Sequence, residues 1–274
     1  MSDESLIGAR TVLFVPGDRP DRFEKAAASG ADLVILDLED AVAPEAKPEA
    51  RRAVVDWLAT GPSRVAVRIN PPSTPWYSAD VAAVSAVPVM LPKAQDPVEV
   101  AALTSELGPD ARVIPLIETA LGVHRAAEVC AAAGVVRPAF GSVDLAAELG
   151  VDPADAEALR HARSALVLAA RVAGVGAPIE GVTTAVRDEE VLLADCAHAL
   201  SLGYTAKLCI HPAQVAPVAQ AFAPSREEVE WARRVLVAAG SGGVAVLDGK
   251  LVDRPVELRA RAVLLRAGDG ENLG

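Results

Sequence analysis

Two acidic residues stand at the ends of two short apolar runs and are the plainest candidates for chemistry in this chain. Val113-Ile114-Pro115-Leu116-Ile117 leads into Glu118-Thr119, and Ala139-Phe140-Gly141-Ser142-Val143 leads into Asp144-Leu145. Each run reads as a buried strand that ends in its acid, and a helical pattern follows each one. Two carboxylates presented by the ends of successive strands can hold one hard cation such as Mg²⁺ through the oxygen ligands that such ions take.

The elements that must position this pair repeat as strand, loop, helix. Strands are expected over 11–15, 33–36, 65–69, 87–91, 112–117, 138–140, 177–179 and 206–210. Helices are expected over 21–29, 44–59, 78–84, 97–107, 154–173 and 188–202. Their borders carry physical signals. Gly30 closes the first helix as a C-terminal cap. Asp96-Pro97 and Asp152-Pro153 each pair an N-cap with a first-turn proline. Leu159, Ala162, Leu166, Ala169 and Ala173 recur at three- and four-residue spacing and make one apolar face. Eight strands with helices between them meet the requirement of a (β/α)₈ TIM barrel. A doubly wound sheet also fits the alternation. No G-x-G-x-x-G follows the first strand and no G-x-x-x-x-G-K-[ST] occurs, so the nucleotide-binding version of that fold is the weaker reading.

Past His211 the pattern changes. Pro224-Ser225 opens a helix to about Ala239, residues 240–243 form a glycine-rich break, and 244–247 with Asp248-Gly249 read as a hairpin. A last helix runs over 255–266. We therefore expect a barrel over 1–222 and a C-terminal helical and hairpin arm or lid over 223–274.

Composition narrows the classes. Hydrophobic residues make up 51% of the 274 and aromatics only 3%, so the core must be built from Ala, Val and Leu, as suits buried parallel strands under Ala-rich helices. A formal charge of −11 argues against a general nucleic-acid binder, which needs a basic face. The acidic N-terminus lacks the pattern of a signal peptide, and no apolar run reaches the ~18 residues of a membrane span. Cys130, Cys196 and Cys209 have no metal or disulfide spacing. A cytoplasmic setting is the expectation.

Active sites of parallel barrels sit at the strand ends. The polar residues there are Asp18, Arg19, Glu39, Asp40, Arg68, Asn70, Lys93, Glu118, Ser142, Asp144, Glu180 and His211, a mixture able to hold a divalent metal and an anionic substrate together. His211 reads better as a structural hydrogen-bonder than as a base. His124, His161 and His198 read as surface or packing residues, and Arg160, Arg163 and Arg171 as a solvated helix side or a subunit contact.

Six of these stretches occur in an order that carries a resemblance. They are Leu36-Asp37-Leu38-Glu39-Asp40-Ala41-Val42, Val67-Arg68-Ile69-Asn70, Leu91-Pro92-Lys93, Leu116-Ile117-Glu118-Thr119, Phe140-Gly141-Ser142-Val143-Asp144-Leu145 and Lys207-Leu208-Cys209-Ile210-His211-Pro212. The chain resembles the citrate lyase beta-subunit-like family, in the aldolase superfamily that includes malyl-CoA and citramalyl-CoA lyases. The resemblance implies an enzyme that uses Mg²⁺ (or Mn²⁺) to cleave or form a carbon–carbon bond in a 3-hydroxyacyl-CoA thioester. It implies Glu118 and Asp144 as metal ligands and Arg68 as the cation facing the reacting carbonyl. Glu39 and Asp40 would hold metal-bound water and orient Arg68, while Lys93 and Arg19 would meet the phosphates of coenzyme A. Asp248-Gly249-Lys250-Leu251-Val252-Asp253-Arg254-Pro255 resembles the family's C-terminal segment, which makes Asp253 the acid that protonates the enolate from a neighbouring subunit of a homo-oligomer, a homotrimer by resemblance. Without the resemblance Asp253 reads as the cap of the last helix. Val143 stands where many relatives carry Glu, a departure that changes what the pocket accepts more than whether metal binds. The alternatives are a metal aldolase of free hydroxy-keto acids, a subunit working only inside a citrate lyase complex, and a non-catalytic CoA-binding relative.

Overall fold

The computed structural model describes residues 1–84, 86–240 and 245–268, so the expected glycine-rich break at 241–243 and the start of the hairpin at Val244 lie outside the described residues. Chain contacts divide the protein into two compact units, Met1–Ala219 and Gln220–Gly274.

In the first unit eight parallel strands close into a barrel in sequence order. They are β1 (Thr11–Pro16), β2 (Leu33–Asp37), β3 (Val65–Arg68), β4 (Val89–Leu91), β5 (Val113–Ile117), β6 (Ala139–Phe140), β7 (Ile179–Glu180) and β8 (Ala206–Cys209). β8 pairs with β1 to complete the ring. The helices are α1 (Asp3–Gly8), α2 (Phe23–Ala27), α3 (Lys47–Leu58), α4 (Tyr77–Val84), α5 (Pro97–Leu107), α6 (Ala120–His124), α7 (Ala126–Cys130), α8 (Ser142–Leu149), α9 (Arg160–Ala173), α10 (Glu189–Leu202) and α11 (Val215–Phe222). No helix among the described residues is long and apolar enough to cross a membrane.

The barrel is filled by alternate residues of all eight strands, such as Leu33 and Ile35 of β2, Ala66 of β3, and Ile114 and Leu116 of β5. A strand turns successive side chains to opposite faces, so the same parity makes Asp37, Arg68 and Glu118 the next inward positions. At the opposite end Arg137 is fully buried and donates to the carbonyls of Leu6, Ile7, Ala9 and Ala177 and to Thr205 Oγ1. It ties α1 to the barrel floor, and neither α1 nor this clamp is expected from the sequence.

The structure corrects several borders. The helix expected over 154–173 begins only at Arg160. Before it, Asp152 and Asp155 accept from the backbone N–H groups of Ala154, Glu157 and Ala158, local bonds that compete with helix formation. The segment over 21–29 divides into a 3₁₀ turn (Pro20–Arg22) and α2. Asp144 is not the end of a strand. β6 stops at Phe140, and Asp144 lies in the first turn of α8.

The second unit contains α12 (Arg226–Ala239), the antiparallel pair β9 (Ala245–Leu247) and β10 (Lys250–Val252), and α13 (Arg254–Ala267). Ser225 and Glu228 form a capping box on α12. Asp248 and Gly249 have φ of 51° and 73°, the left-handed pair of a tight hairpin turn. Ala232, Val235, Val252, Ala260, Val263 and Leu264 make a core of their own.

Candidate active site

The mouth of the barrel is built around an arginine gripped from two sides. Asp37 and Arg68 are cross-strand partners in register, and both point inward. Arg68 Nε donates to Asp37 Oδ1 and Nη2 to Asp37 Oδ2, each at 2.7 Å. This two-pronged geometry is the strong form of an arginine–carboxylate contact. Arg68 Nη1 lies 3.0 Å from Glu39 Oε2, and its guanidinium sits 4.8 Å from the centre of the Phe14 ring. Burial opposes the charge on Arg68, but Asp37 and Glu39 outweigh it and hold the pKa above its ordinary value.

Glu39 is itself buried, and its Oε1 accepts from Lys93 Nζ at 2.8 Å. Its Oε2 has no hydrogen-bond partner among the described residues, because the nearby Arg68 nitrogen is close without being aligned. Burial pushes the Glu39 carboxyl up, against the pull of Arg68 and Lys93. Lys93 has a left-handed backbone, φ 50°, a conformation costing a side-chain-bearing residue roughly 1 kcal/mol. In that conformation its N–H donates to Glu118 Oε1 at 2.8 Å while its ammonium reaches Glu39.

Glu118 is 2% exposed. Burial, then Glu39, then Asp144 push its pKa up to about 8. Gly141 makes room for it, since a Cβ there would stand 2.5 Å from Glu118 Oε2. Asp144 is exposed on α8 and couples to Glu118 through its charge.

The donor set can be tested against a metal. Among the described residues no cluster of three or more His, Cys, Asp or Glu side chains is arranged to hold an ion. Five carboxylates, Asp37, Glu39, Asp40, Glu118 and Asp144, act on one another or on three cations, Arg68, Lys93 and Lys47. When all are ionised the cluster has two negative charges to spare. A buried oxygen without a hydrogen-bond donor among the described residues, a carboxyl raised by burial and its neighbours, and that excess all fit a divalent, oxygen-loving cation, which keeps most of its sites for water and substrate.

The structure sorts the remaining sequence candidates. Asp40 is exposed and acts on Glu39 only through its charge; the carboxylates that orient Arg68 are Glu39 and Asp37, and Asp37 was not among the expected site residues. Its signal was its register opposite Arg68. Arg19 is half-exposed and pairs with Asp21 at 2.9 Å. Asp253 caps α13, accepting from Val256 N at 3.2 Å. His211 Nδ1 accepts from Ala213 N, a structural hydrogen bond. Glu180 does not face the mouth. Ile179 takes the inward position, and Glu180 turns outward to Arg163, which is buried rather than solvated and lies over Phe140.

Comparison with known proteins gives the family. The family model of HpcH/HpaI aldolase/citrate lyase matches residues 10–212. A citrate lyase subunit beta-like protein of Mycobacterium tuberculosis is 43% identical over 267 residues, covering 94% of this chain and 95% of that protein. A (3S)-malyl-CoA thioesterase of Cereibacter sphaeroides is 37% identical over 270 residues, covering 94% of each. The crystal structure of the CitE protein of M. tuberculosis in complex with magnesium, acetoacetate and coenzyme A superposes with a TM-score of 0.83 at 40% identity, covering 96% of this chain and 99% of that one. The chain belongs to the HpcH/HpaI aldolase/citrate lyase family and is a lyase.

Proposed function

We propose that the chain is a Mg²⁺-dependent acyl-CoA lyase, cleaving a 3-hydroxyacyl-CoA thioester such as malyl-, citramalyl- or hydroxymethylglutaryl-CoA, or forming it by a Claisen-type condensation. The observation that carries this reading is Arg68, locked by Asp37 and Glu39 beside the Glu118 and Asp144 carboxylates. Retro-Claisen cleavage leaves negative charge on a thioester oxygen. A fixed, permanently charged guanidinium stabilises charge that appears only in the transition state and needs no reorganisation to do so.

Glu118 and Asp144 would hold Mg²⁺, which when bound supplies Lewis-acid polarisation of a substrate oxygen. Glu39 Oε2, buried and paired in charge with Arg68 but without a hydrogen-bond donor among the described residues, would accept a hydrogen bond from water or the substrate hydroxyl. Lys93 is turned into the cluster and would neutralise Glu39, which leaves Arg19 as the candidate for the coenzyme A phosphates. Asp253 would protonate the enolate carbon from a neighbouring subunit of a homo-oligomer, for which general acid catalysis requires a carboxyl within hydrogen-bond reach. Three free, buried cysteines suit a reducing, cytoplasmic setting.

A second reading has support in the Cereibacter relative, whose named activity is thioester hydrolysis. One screen separates them. The purified chain is given the three acyl-CoA esters with Mg²⁺, and products are resolved by chromatography. Acetyl-CoA with a keto acid marks the lyase, and free CoA with a hydroxy acid marks the thioesterase. Turnover of free hydroxy-keto acids but no CoA ester would establish an aldolase instead, and activity of the chain alone removes the need for a larger complex.

A further inference from the structure

Arg68 is aimed by two residues, Asp37 and Glu39, that flank a single peptide-bearing residue, Leu38. The main chain of Leu38 is held at every polar atom. Its N–H donates to the Arg68 carbonyl at 2.9 Å. Its carbonyl accepts from Lys47 Nζ and from Asn70 Nδ2, both at 2.9 Å, which fills both lone pairs of that oxygen. Lys47 Nζ also donates to the Glu39 carbonyl at 2.9 Å.

Lys47 is an expensive residue to use for this. It is only 5% exposed, burial lowers its pKa, and its ammonium forms no ion pair among the described residues. Its contacts are those two carbonyls and the Trp76 ring, 5.0 Å away. A buried ammonium without a direct counter-ion is costly, and a neutral side chain would fill the same space. Asn70 is anchored in turn. Its N–H and Nδ2 donate to Asp80 Oδ2 at 2.9 and 2.6 Å, and Asp80 Oδ1 accepts from Arg51 Nε at 2.6 Å. Asp80 is fully buried. Side chains from α3, α4 and the end of β3 thus converge on the peptide that carries both carboxylates gripping Arg68.

We propose that Lys47, Asn70 and Asp80 are positioning residues that set the aim of Arg68 through the main chain of Leu38 and Glu39. The inference rests on the lyase reading for its kinetic consequence, but its geometric core is independent of the substrate. Lys47 and Asn70 touch neither reacting atoms nor metal ligands. They fix the loop at the end of β2, so that Asp37 and Glu39 cannot follow Arg68 if the guanidinium swings. Outer contacts of this type commonly change activity by about 10–100-fold when removed.

The test uses Lys47→Met, which keeps the length of the side chain and removes both donated bonds, and Asn70→Ala as a milder second variant should the first fail to fold. Two measurements are made on each folded protein. The first is kcat and KM on the best acyl-CoA ester. The second is the ¹⁵N–¹H signal of the Arg68 Nε–H, assigned by its loss in Arg68→Lys. A loss of aim lowers kcat by about tenfold or more while KM stays within about twofold, the pattern of an interaction lost in the transition state. The Arg68 signal moves toward that of a free arginine. An unmoved Arg68 signal in a folded variant overturns the proposal, as does an unchanged kcat. If the wild-type chain turns over no acyl-CoA ester, the lyase reading fails on its own, and the Arg68 signal still decides the positioning role.

Discussion

Protonation of Glu118 should govern when the site accepts its metal. Burial and the neighbouring acids push this carboxyl up to about 8, against an ordinary value of 4.5. Because the folded pKa is raised, the stabilisation this group contributes is fully present below about 4.5. It erodes as pH rises and is gone above about 8. The gap corresponds to on the order of 5 kcal/mol. The metal-free protein should therefore melt at lower temperature at about pH 8.5 than at about pH 6, and Mg²⁺ should restore the difference, since a ligand that binds only the folded state stabilises it. A metal also has to displace the proton. Below about pH 8 the apparent affinity should fall by about tenfold per pH unit, with close to one proton released per ion at about pH 6 and almost none at about pH 9.

Calorimetric titration of the metal-free protein with Mg²⁺, in buffers of different ionisation enthalpy, reads the proton count directly. Glu118→Gln supplies the matched comparison. A neutral isostere should remove the decline in metal-free stability between about pH 5 and 8 and should abolish Mg²⁺ binding. An affinity that stays flat from about pH 6 to 9 with no proton release, in a protein whose binding still requires Glu118, would refute the reasoning. It would show that the carboxyl is ionised before the metal arrives and that burial does not set its state.

Asp37→Asn keeps the shape of the group but breaks the paired contact with Arg68, and kcat should fall by about 10²-fold with little change in KM, as when one oriented donor is lost from a charged transition state; steady-state kinetics on the active ester would check it. Asp253→Asn preserves the N-cap of α13, because Asn caps as well as Asp, yet removes the acid, so melting should be unchanged while activity is lost. Mixing and reassociating inactive Arg68→Ala and Asp253→Ala chains should restore about a quarter of wild-type activity if each site takes its aspartate from another subunit of a symmetric oligomer, and none if each chain is self-sufficient. Arg137→Met leaves the barrel-floor carbonyls without their donor and should cost about 4 kcal/mol, read by chemical denaturation, with kcat of the folded fraction unaltered.

Much of this architecture was legible in the residues. All eight expected strands overlap those observed, because short apolar runs between capped helices and proline- or glycine-marked loops leave little choice of period. What was missed has local physical causes. Residues 152–159 carry a good N-cap signal, but Asp152 and Asp155 spend their side chains on nearby backbone and hold a series of turns. Asp144 looked like a strand end because Ser142-Val143 continues the apolar run of Phe140, yet α8 starts at once after Gly141. Arg137 follows Val135-Val136 in an apolar context, and only tertiary structure reveals the ring of carbonyls around it.

The candidate site turns on a parity that composition cannot display. Asp37, Glu118 and Glu180 are acids at or just beyond the ends of strands, and all three are nearly inaccessible. Asp37 follows Leu33 and Ile35, and Glu118 follows Ile114 and Leu116, at even spacing from the residues that fill the barrel, so both carboxylates reach the mouth. Glu180 is one residue past the inward Ile179, so its carboxylate leaves the barrel and meets Arg163 at 3.1 Å. Lys207, its register partner on β8, is likewise outward, next to inward Ala206 and Leu208, and donates to the Gly181 carbonyl. A one-residue change of phase turns a carboxylate of the barrel mouth into a structural ion pair, because strand side chains alternate with period two. The identity of a strand-end acid therefore says little about its role until one inward neighbour is known, and a single barrel-filling residue two positions upstream, such as Ile35 or Leu116, is enough to decide it.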